Sequence, residues 1–148
     1  MSDLDIKFCL GCNACARTNK CCINDEMTNK VYDLLLKSNE IIIVSPIYMD
    51  NITGLLKNFL DRFNALSNID FLKNKKVYLI LTGQQQKEDN MEVINSINAY
   101  FEDIKEWMNF DYEYLDYFCG GDILEIDDVK KADNKYEQKV NKIKNKIE

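Results

Sequence analysis

Apolar residues along this chain follow two alternating spacings. Ile41-Ile42-Ile43-Val44 and Val77-Tyr78-Leu79-Ile80-Leu81 are unbroken runs, the pattern of strands buried on both faces. Between them Ile52, Leu55, Leu56, Phe59, Leu60, Phe63 and Leu66 recur at helical spacing. Val93, Ile94, Ile97, Phe101, Ile104 and Trp107 do so further on. Tyr112 to Phe118 is aromatic and strand-like. Val129, Ala132, Tyr136, Val140, Ile143 and Ile147 mark a last amphipathic helix whose other faces carry lysine. Asp5 to Phe8 reads as a short opening strand, and Thr28 as the cap of a helix bearing Val31, Leu34 and Leu35. Pro46 ends the first long strand, since proline cannot donate to a central ladder. Thr82-Gly83 breaks the second, and Asp89 or Asn90 caps the long helix after it.

Strand and helix thus alternate four times. Parallel strands need crossover helices, and right-handed crossovers place helices on both sheet faces. The pattern predicts a three-layer α/β fold with a parallel sheet of four strands. No linker, repeat or low-complexity stretch divides residues 1–148, which read as one domain. In such folds ligands sit beyond the carboxyl ends of the strands. The candidate site is therefore the set of loops at Cys9–Cys22, Ser45–Asn51, Thr82–Gln86 and Cys119–Gly121.

Composition narrows the chemistry. The 148 residues are 46% hydrophobic and 30% charged, an ordinary globular profile, and contain no histidine. That excludes Ser-His-Asp and Cys-His catalysis and any imidazole acid, base or zinc ligand. Neither G-x-G-x-x-G nor a Walker A run is present, so these glycine-loop nucleotide cradles are absent. A net charge of −6 argues against a nucleic-acid partner, which calls for basic patches. No apolar run approaches the roughly 20 residues that span a bilayer, so no membrane partner is expected. The acidic start, Met-Ser-Asp-Leu-Asp, lacks the basic-then-apolar order of a signal peptide. The expected compartment is the cytoplasm, where clustered cysteines bind metal more often than they form disulfides.

Six cysteines are present, and four of them read C-x2-C-x2-C-x5-C at Cys9, Cys12, Cys15 and Cys21. Four thiolates in one short loop match a [4Fe–4S] cluster, in which each iron takes one cysteine sulfur. Gly11 frees the backbone for the wrap. Arg17 and Lys20 can offset the cluster's negative charge. Zinc also accepts four thiolates, although its structural sites usually present two well-separated knuckles. A metal-free loop of buried or reactive thiols, or a redox disulfide between two of them, is the other reading. Cys22 abuts the motif and can replace Cys21 as fourth ligand, whereas Cys119 reads as a small core residue.

Cys9-Leu-Gly-Cys12-Asn-Ala-Cys15 through Cys21 and Asp25-Glu26-Met27 open a recognisable order of motifs. Ile43-Val44-Ser45-Pro46-Ile47-Tyr48 and Leu55-Leu56-Lys57-Asn58-Phe59-Leu60-Asp61-Arg62 follow, with Gly120-Gly121-Asp122-Ile123 before the last helix. Together they resemble the flavodoxin-like NADPH-dependent FMN reductases, and within these the iron–sulfur flavoproteins. The resemblance implies a flavodoxin-like sheet, FMN as cofactor and hydride transfer from NAD(P)H. It also implies assembly into homodimers or homotetramers, with a redox partner protein as a further expectation. It implies that Ser45, Pro46, Ile47, Tyr48 and Asn51 lie against the flavin ring, joined by Thr82 and Gly83. Electrons would pass between that ring and a cluster in the cysteine loop. Family members also carry a strand, a phosphate-binding loop and a helix ahead of the cysteine loop, and only eight residues precede Cys9 here. The expected sheet is therefore four strands, lacking the first βα unit. A homologue that keeps a thiolate metal site without FMN is the alternative.

Overall fold

The structure, a computed structural model, describes residues 3–67, 70–120 and 133–147, the last segment with side chains from residue 136. A helical turn, α1 (Cys15–Thr18), sits inside the cysteine segment. A wide π turn at Met27–Val31 continues directly as α2 (Tyr32–Lys37). A hairpin of β1 (Glu40–Tyr48) and β2 (Asn51–Ile52) follows. Next comes α3 (Gly54–Asp61), which tightens into a 3-10 turn at Arg62–Ala65. The chain then forms β3 (Lys76–Gly83), a 3-10 turn at Glu88–Asn90, α4 (Met91–Met108), β4 (Asp111–Cys119) and α5 (Asp133–Ile147).

The sheet has four strands in the order β2-β1-β3-β4. β1, β3 and β4 are parallel, with Ile43 beside Leu79 and Leu79 beside Tyr114, and β2 runs antiparallel to the tip of β1. The strand count matches the expectation, but one strand does not. Residues 5–8 form no strand. The carbonyl of Ile6 instead accepts from Asn58 Nδ2 at 3.0 Å and that of Lys7 from Arg62 Nη1 at 2.7 Å, clamping this segment to α3 and the turn after it. The fourth strand is β2, which makes the sheet mixed.

Four further expectations are corrected by local geometry. Pro46 does not end β1, which runs on to Tyr48 with Pro46 beside Thr82 of β3. Asp25, and not Thr28, starts the first helical segment. Its Oδ1 accepts the Thr28 N–H at 3.2 Å while Thr28 Oγ1 accepts the Asp25 N–H at 3.1 Å, the reciprocal pairing of a capping box. Leu34, expected on the buried face, is exposed, whereas Val31 and Leu35 are buried. Trp107 is likewise exposed, so the buried residues of α4 are Ile94, Ile97, Phe101 and Met108. Val129 and Ala132, expected on the last helix, lie outside the described residues, as do Gly121, Asp122 and Ile123.

The core lies on one face of the sheet. Ile43, Val77, Leu79, Leu81 and Tyr117 pack there against Leu35 of α2, Leu56, Phe59 and Leu60 of α3, and α4. The opposite face is partly covered by α5, whose Lys139 and Lys146 reach Asp116 and Glu113 of β4. On the β1 side the cover ends: Ile42 is 51% and Val44 58% exposed, against 6% for Ile43. The unbroken apolar run therefore did not mean burial on both faces of β1 within the described residues.

The β1–β2 turn aims the site. Ile47 pairs with Ile52 and Tyr48 with Asn51, leaving Met49 and Asp50 as the two turn residues, both left-handed at φ 50° and 58°. This is the backbone of a type I′ turn, normally built from Asn-Gly. Thr53 then caps α3, its Oγ1 accepting the Leu56 N–H at 3.1 Å. Met49 is 97% exposed, so its side chain gains nothing from packing to offset a left-handed backbone, which costs about 1–2 kcal/mol outside glycine and asparagine. Met49→Asn is expected to raise stability by about 1 kcal/mol, seen as a higher urea midpoint at an unchanged slope.

Candidate functional site

Three of the four loops named from the sequence meet in one cleft of about 700 Å³, within the usual range for a small-molecule site. Pro46, Ile47, Tyr48, Met49 and Asp50 form one wall, Thr82, Gly83, Gln84 and Gln85 the floor, and Phe118, Cys119, Gly120 and Tyr136 the other wall. The floor is held from behind. Tyr117 Oη donates to the Gln85 carbonyl at 2.7 Å and accepts from Asn90 Nδ2 at 2.8 Å, while the Gly120 N–H donates to the Gly83 carbonyl at 2.6 Å. Phe118 stacks on Tyr136 with ring centroids 5.9 Å apart, and the Tyr136 hydroxyl donates to the Cys119 carbonyl. Cys119, expected as a small core residue, packs half-buried against the core, and it also lines the cleft and donates to the Gln84 carbonyl at 3.4 Å. Among the described residues the lining is aromatic, apolar and polar, with Gln84, Gln85 and Asn90 among its polar residues, and Asp50 is its one charged side chain.

The cysteine loop builds a second cavity of about 280 Å³, lined by Cys9, Cys12, Cys15, Cys21 and Cys22 together with Asp61, Arg62, Asn64 and Ala65. Among the described residues none lines both cavities. They lie at the two ends of α3: the β1–β2 hairpin that walls the cleft leads into its N-cap at Thr53, and the turn after its last residue, Asp61, meets the sulfurs. An α-helix of eight residues is about 12 Å long.

The wall of the cysteine cavity is a buried charge pair. Arg62 Nη1 contacts Asp25 Oδ2 at 2.6 Å and Nη2 contacts Oδ1 at 3.2 Å, a bidentate pair with neither side chain reaching solvent. The same guanidinium donates to the Lys7 carbonyl at 2.7 Å and to Cys21 Sγ at 3.4 Å. Burial works against the Asp25 charge, but hydrogen bonds from Arg62 and from the Lys7 and Thr28 N–H groups outweigh it and hold the carboxyl below its ordinary range. Two residues along the chain, Asn64 Nδ2 reaches Cys15 Sγ at 3.5 Å. Cys12 and Cys22 are exposed, with their sulfurs 3.3 Å apart. The Ala14 N–H first, and then Cys22, lower the Cys12 pKa, and the same contact with Cys12 raises that of Cys22.

Comparison with known proteins adds a family to this geometry. The family model described as NADPH-dependent FMN reductase matches residues 1–100. The chain belongs to that family. It is 30% identical over 98 residues to an iron-sulfur flavoprotein of Methanocaldococcus jannaschii, a match covering 65% of this chain and 50% of the relative. It is also 30% identical over 101 residues to an iron-sulfur flavoprotein of Methanosarcina thermophila, covering 68% of this chain and 52% of that one. The chain thus spans about half the length of these relatives. Among solved structures it is similar to an NADPH-quinone reductase from P. pentosaceus. That match has a TM-score of 0.55 and 19% identity, and covers 74% of this chain and 71% of the other. The likeness carries the flavodoxin-like fold of the FMN reductases.

Within this FMN reductase fold, Pro46, Ile47, Tyr48, Thr82 and Gly83 come together as the sequence suggested. Ser45 and Asn51 do not line the cleft. Ser45 is buried, its hydroxyl donating to the Pro46 carbonyl at 2.9 Å, and Asn51 Oδ1 accepts the Ile52 N–H at 2.8 Å. Both fix the hairpin instead. Cys9, Cys12, Cys15 and Cys21 share one cavity, and Cys22 shares it too. Sequence reasoning gave no role to Asp25, Arg62 or Asn64. The one available signal was an arginine at the end of a helix whose register puts it on the apolar face beside Phe59 and Phe63.

Three outcomes are expected from these supports. Arg62→Met leaves the Asp25 charge buried without its partner and is expected to destabilise the fold by about 3–5 kcal/mol, measured by urea unfolding. Adding Asp25→Leu should recover much of that loss. Because the folded pKa of Asp25 is depressed, the stability gap between wild type and Asp25→Asn is full above the unfolded carboxyl pKa of about 3.9. It closes as pH falls through the lower folded value. At the cleft, a Cβ on Gly83 would collide with the Tyr117 hydroxyl and meet two ring carbons at 3.2 Å. Gly83→Ala should cost about 1–3 kcal/mol, and Tyr117→Phe in the same chain should return part of it.

Proposed function

We propose that this chain is the ring-binding and cysteine-bearing part of a flavin-dependent redox protein, taking FMN in the cleft and a [4Fe–4S] cluster at Cys9, Cys12, Cys15 and Cys21, with NAD(P)H as electron donor. The observation that carries the reading is the pairing of two cavities at opposite ends of α3, one lined by aromatic, apolar and polar residues, the other by thiols, in a chain of the FMN reductase family.

Bound FMN would exchange hydride and single electrons, and the protein's part is position, dryness and electrostatics. Pro46, Ile47 and Tyr48 offer one wall for a planar ring, and Phe118 with Tyr136 the other. The Thr82–Gln85 backbone, fixed by Tyr117 and Gly120, supplies a polar floor that need not reorganise when the ring arrives. A phosphate calls for cations or free N–H groups, and among the described residues neither Lys nor Arg is in the lining. The proposal therefore assigns the ring end of FMN to this cleft and the phosphate to groups beyond its lining.

At the other cavity the donor set supports a cluster over a single zinc ion. Zinc gathers four sulfurs at about 2.3 Å from one point. A cluster spreads its irons and takes one sulfur at each, which suits thiols distributed around a cavity. Arg62 and Asn64 supply hydrogen bonds to Cys21 and Cys15, and such bonds set cluster potentials. The bond from Arg62 is also what favours Cys21 over Cys22 as the fourth ligand. A cytoplasmic homo-oligomer working with a redox partner belongs to the same reading. Among the described residues no helix is long and apolar enough to cross a membrane.

Protein purified anaerobically is expected to show flavin and iron–sulfur absorption, with iron and sulfide in equal amounts. Cys12→Ser should lower iron several-fold, while Cys119→Ser should leave it unchanged. Protein that takes up no FMN would remove the flavin reading, and about one zinc per chain in place of iron would remove the cluster. Equal iron loss from both variants would overturn the ligand assignment.

A further inference from the structure

The five cysteines of the loop are not equivalent. Cys15 and Cys21 are half-buried, each sulfur held by a side-chain donor from the turn after α3. Cys12 and Cys22 are exposed free thiols whose sulfurs meet at 3.3 Å across ten residues of sequence. A disulfide needs about 2.05 Å between sulfurs, so this pair closes by a shift of little more than an ångström. Backbone freedom for such a shift flanks Cys12 on both sides. Gly11 and Asn13 are left-handed, and nothing lies within 4 Å of where a Gly11 Cβ would stand.

Two sulfurs in mutual contact cannot, as they stand, serve two separate irons. Cys12 therefore has alternative partners: the cluster on one hand and Cys22 on the other. We propose that Cys12 and Cys22 are a thiol–disulfide pair, and that closing it withdraws Cys12 from the ligand set and blocks loading of the loop. The blocking step rests on the cluster reading above, whereas the pair itself rests only on the two sulfurs. The oxidant is a hydroperoxide. One thiol takes an oxygen to become a sulfenic acid and releases the alcohol, or water from hydrogen peroxide. The other thiol then displaces hydroxide from that sulfur, giving the disulfide and a second water. Two thiols lose two electrons and two protons in all, and an external dithiol reverses the change by exchange. Cys15 and Cys21 do not compete, because their donors hold them against the turn.

The test uses the full chain, prepared with and without iron and treated with one equivalent of hydrogen peroxide. In the iron-free chain, free thiols should fall by two, and peptide mapping without reductant should show one cross-link, Cys12 to Cys22. Iron-loaded chain should resist the same treatment. Oxidised wild type should then take up several-fold less iron and sulfide than reduced wild type and recover with dithiothreitol. Cys22→Ser should load equally before and after brief peroxide. A dominant cross-link between any other pair, or a mixture, overturns the pair. Cross-linked chain that loads as fully as reduced chain overturns the block. If neither reduced wild type nor reduced Cys22→Ser ever loads iron, the cluster reading fails with the block, and the peptide map alone decides the pair.

Discussion

The Arg62–Asp25 pair is the constraint on which the thiol cavity depends. One guanidinium holds the Lys7 carbonyl, the Asp25 carboxylate and the Cys21 sulfur. It thereby fixes both ends of the segment that carries the cysteines. Burying two charges brings a desolvation penalty that their attraction barely repays, so the pair is not there for stability alone. Its effect is geometric: a loop with few apolar residues and two left-handed asparagines, Asn13 and Asn19, would otherwise have no reason to keep one shape. Asp25 also caps the helical segment that follows, which couples the loop's exit to the packing of Val31 and Leu35 in the core.

What the sequence disclosed and what it hid divide along physical lines. The β-branched and aliphatic runs at Ile41 and Val77 and the helical stripes through Phe59 and Ile97 declared their elements, because burial of a repeated face leaves a periodic trace. The loops beyond the parallel strands were legible for the same reason, since strand ends follow once strands are placed. The hairpin after Tyr48 was not, because Met49 and Asp50 lack the glycine that normally marks its turn. The strand expected at Asp5–Phe8 failed because Ile6, with Leu4 just before the span, packs onto the core while the carbonyls of Ile6 and Lys7 are taken by Asn58 and Arg62. Four residues carry too little pattern to tell a strand from an extended clamp. The role of Arg62 was hidden in principle: a buried cation is defined by partners 37 and 41 residues away in sequence, and no local spacing encodes them.

The position of α3 then bears on how the two cavities can act together. Its N-terminus is set by the hairpin and the Thr53 cap, and its C-terminus by the pair that holds the thiols. Leu56, Phe59 and Leu60 bury its inner face against the sheet. A helix pinned at both ends and packed along its length behaves as a rigid spacer, because packed interiors resist small displacements. The helix therefore sets the separation between the cleft and the thiol cavity. A change in the cysteine loop, such as closure of Cys12 on Cys22, can alter what the loop holds without moving the cleft.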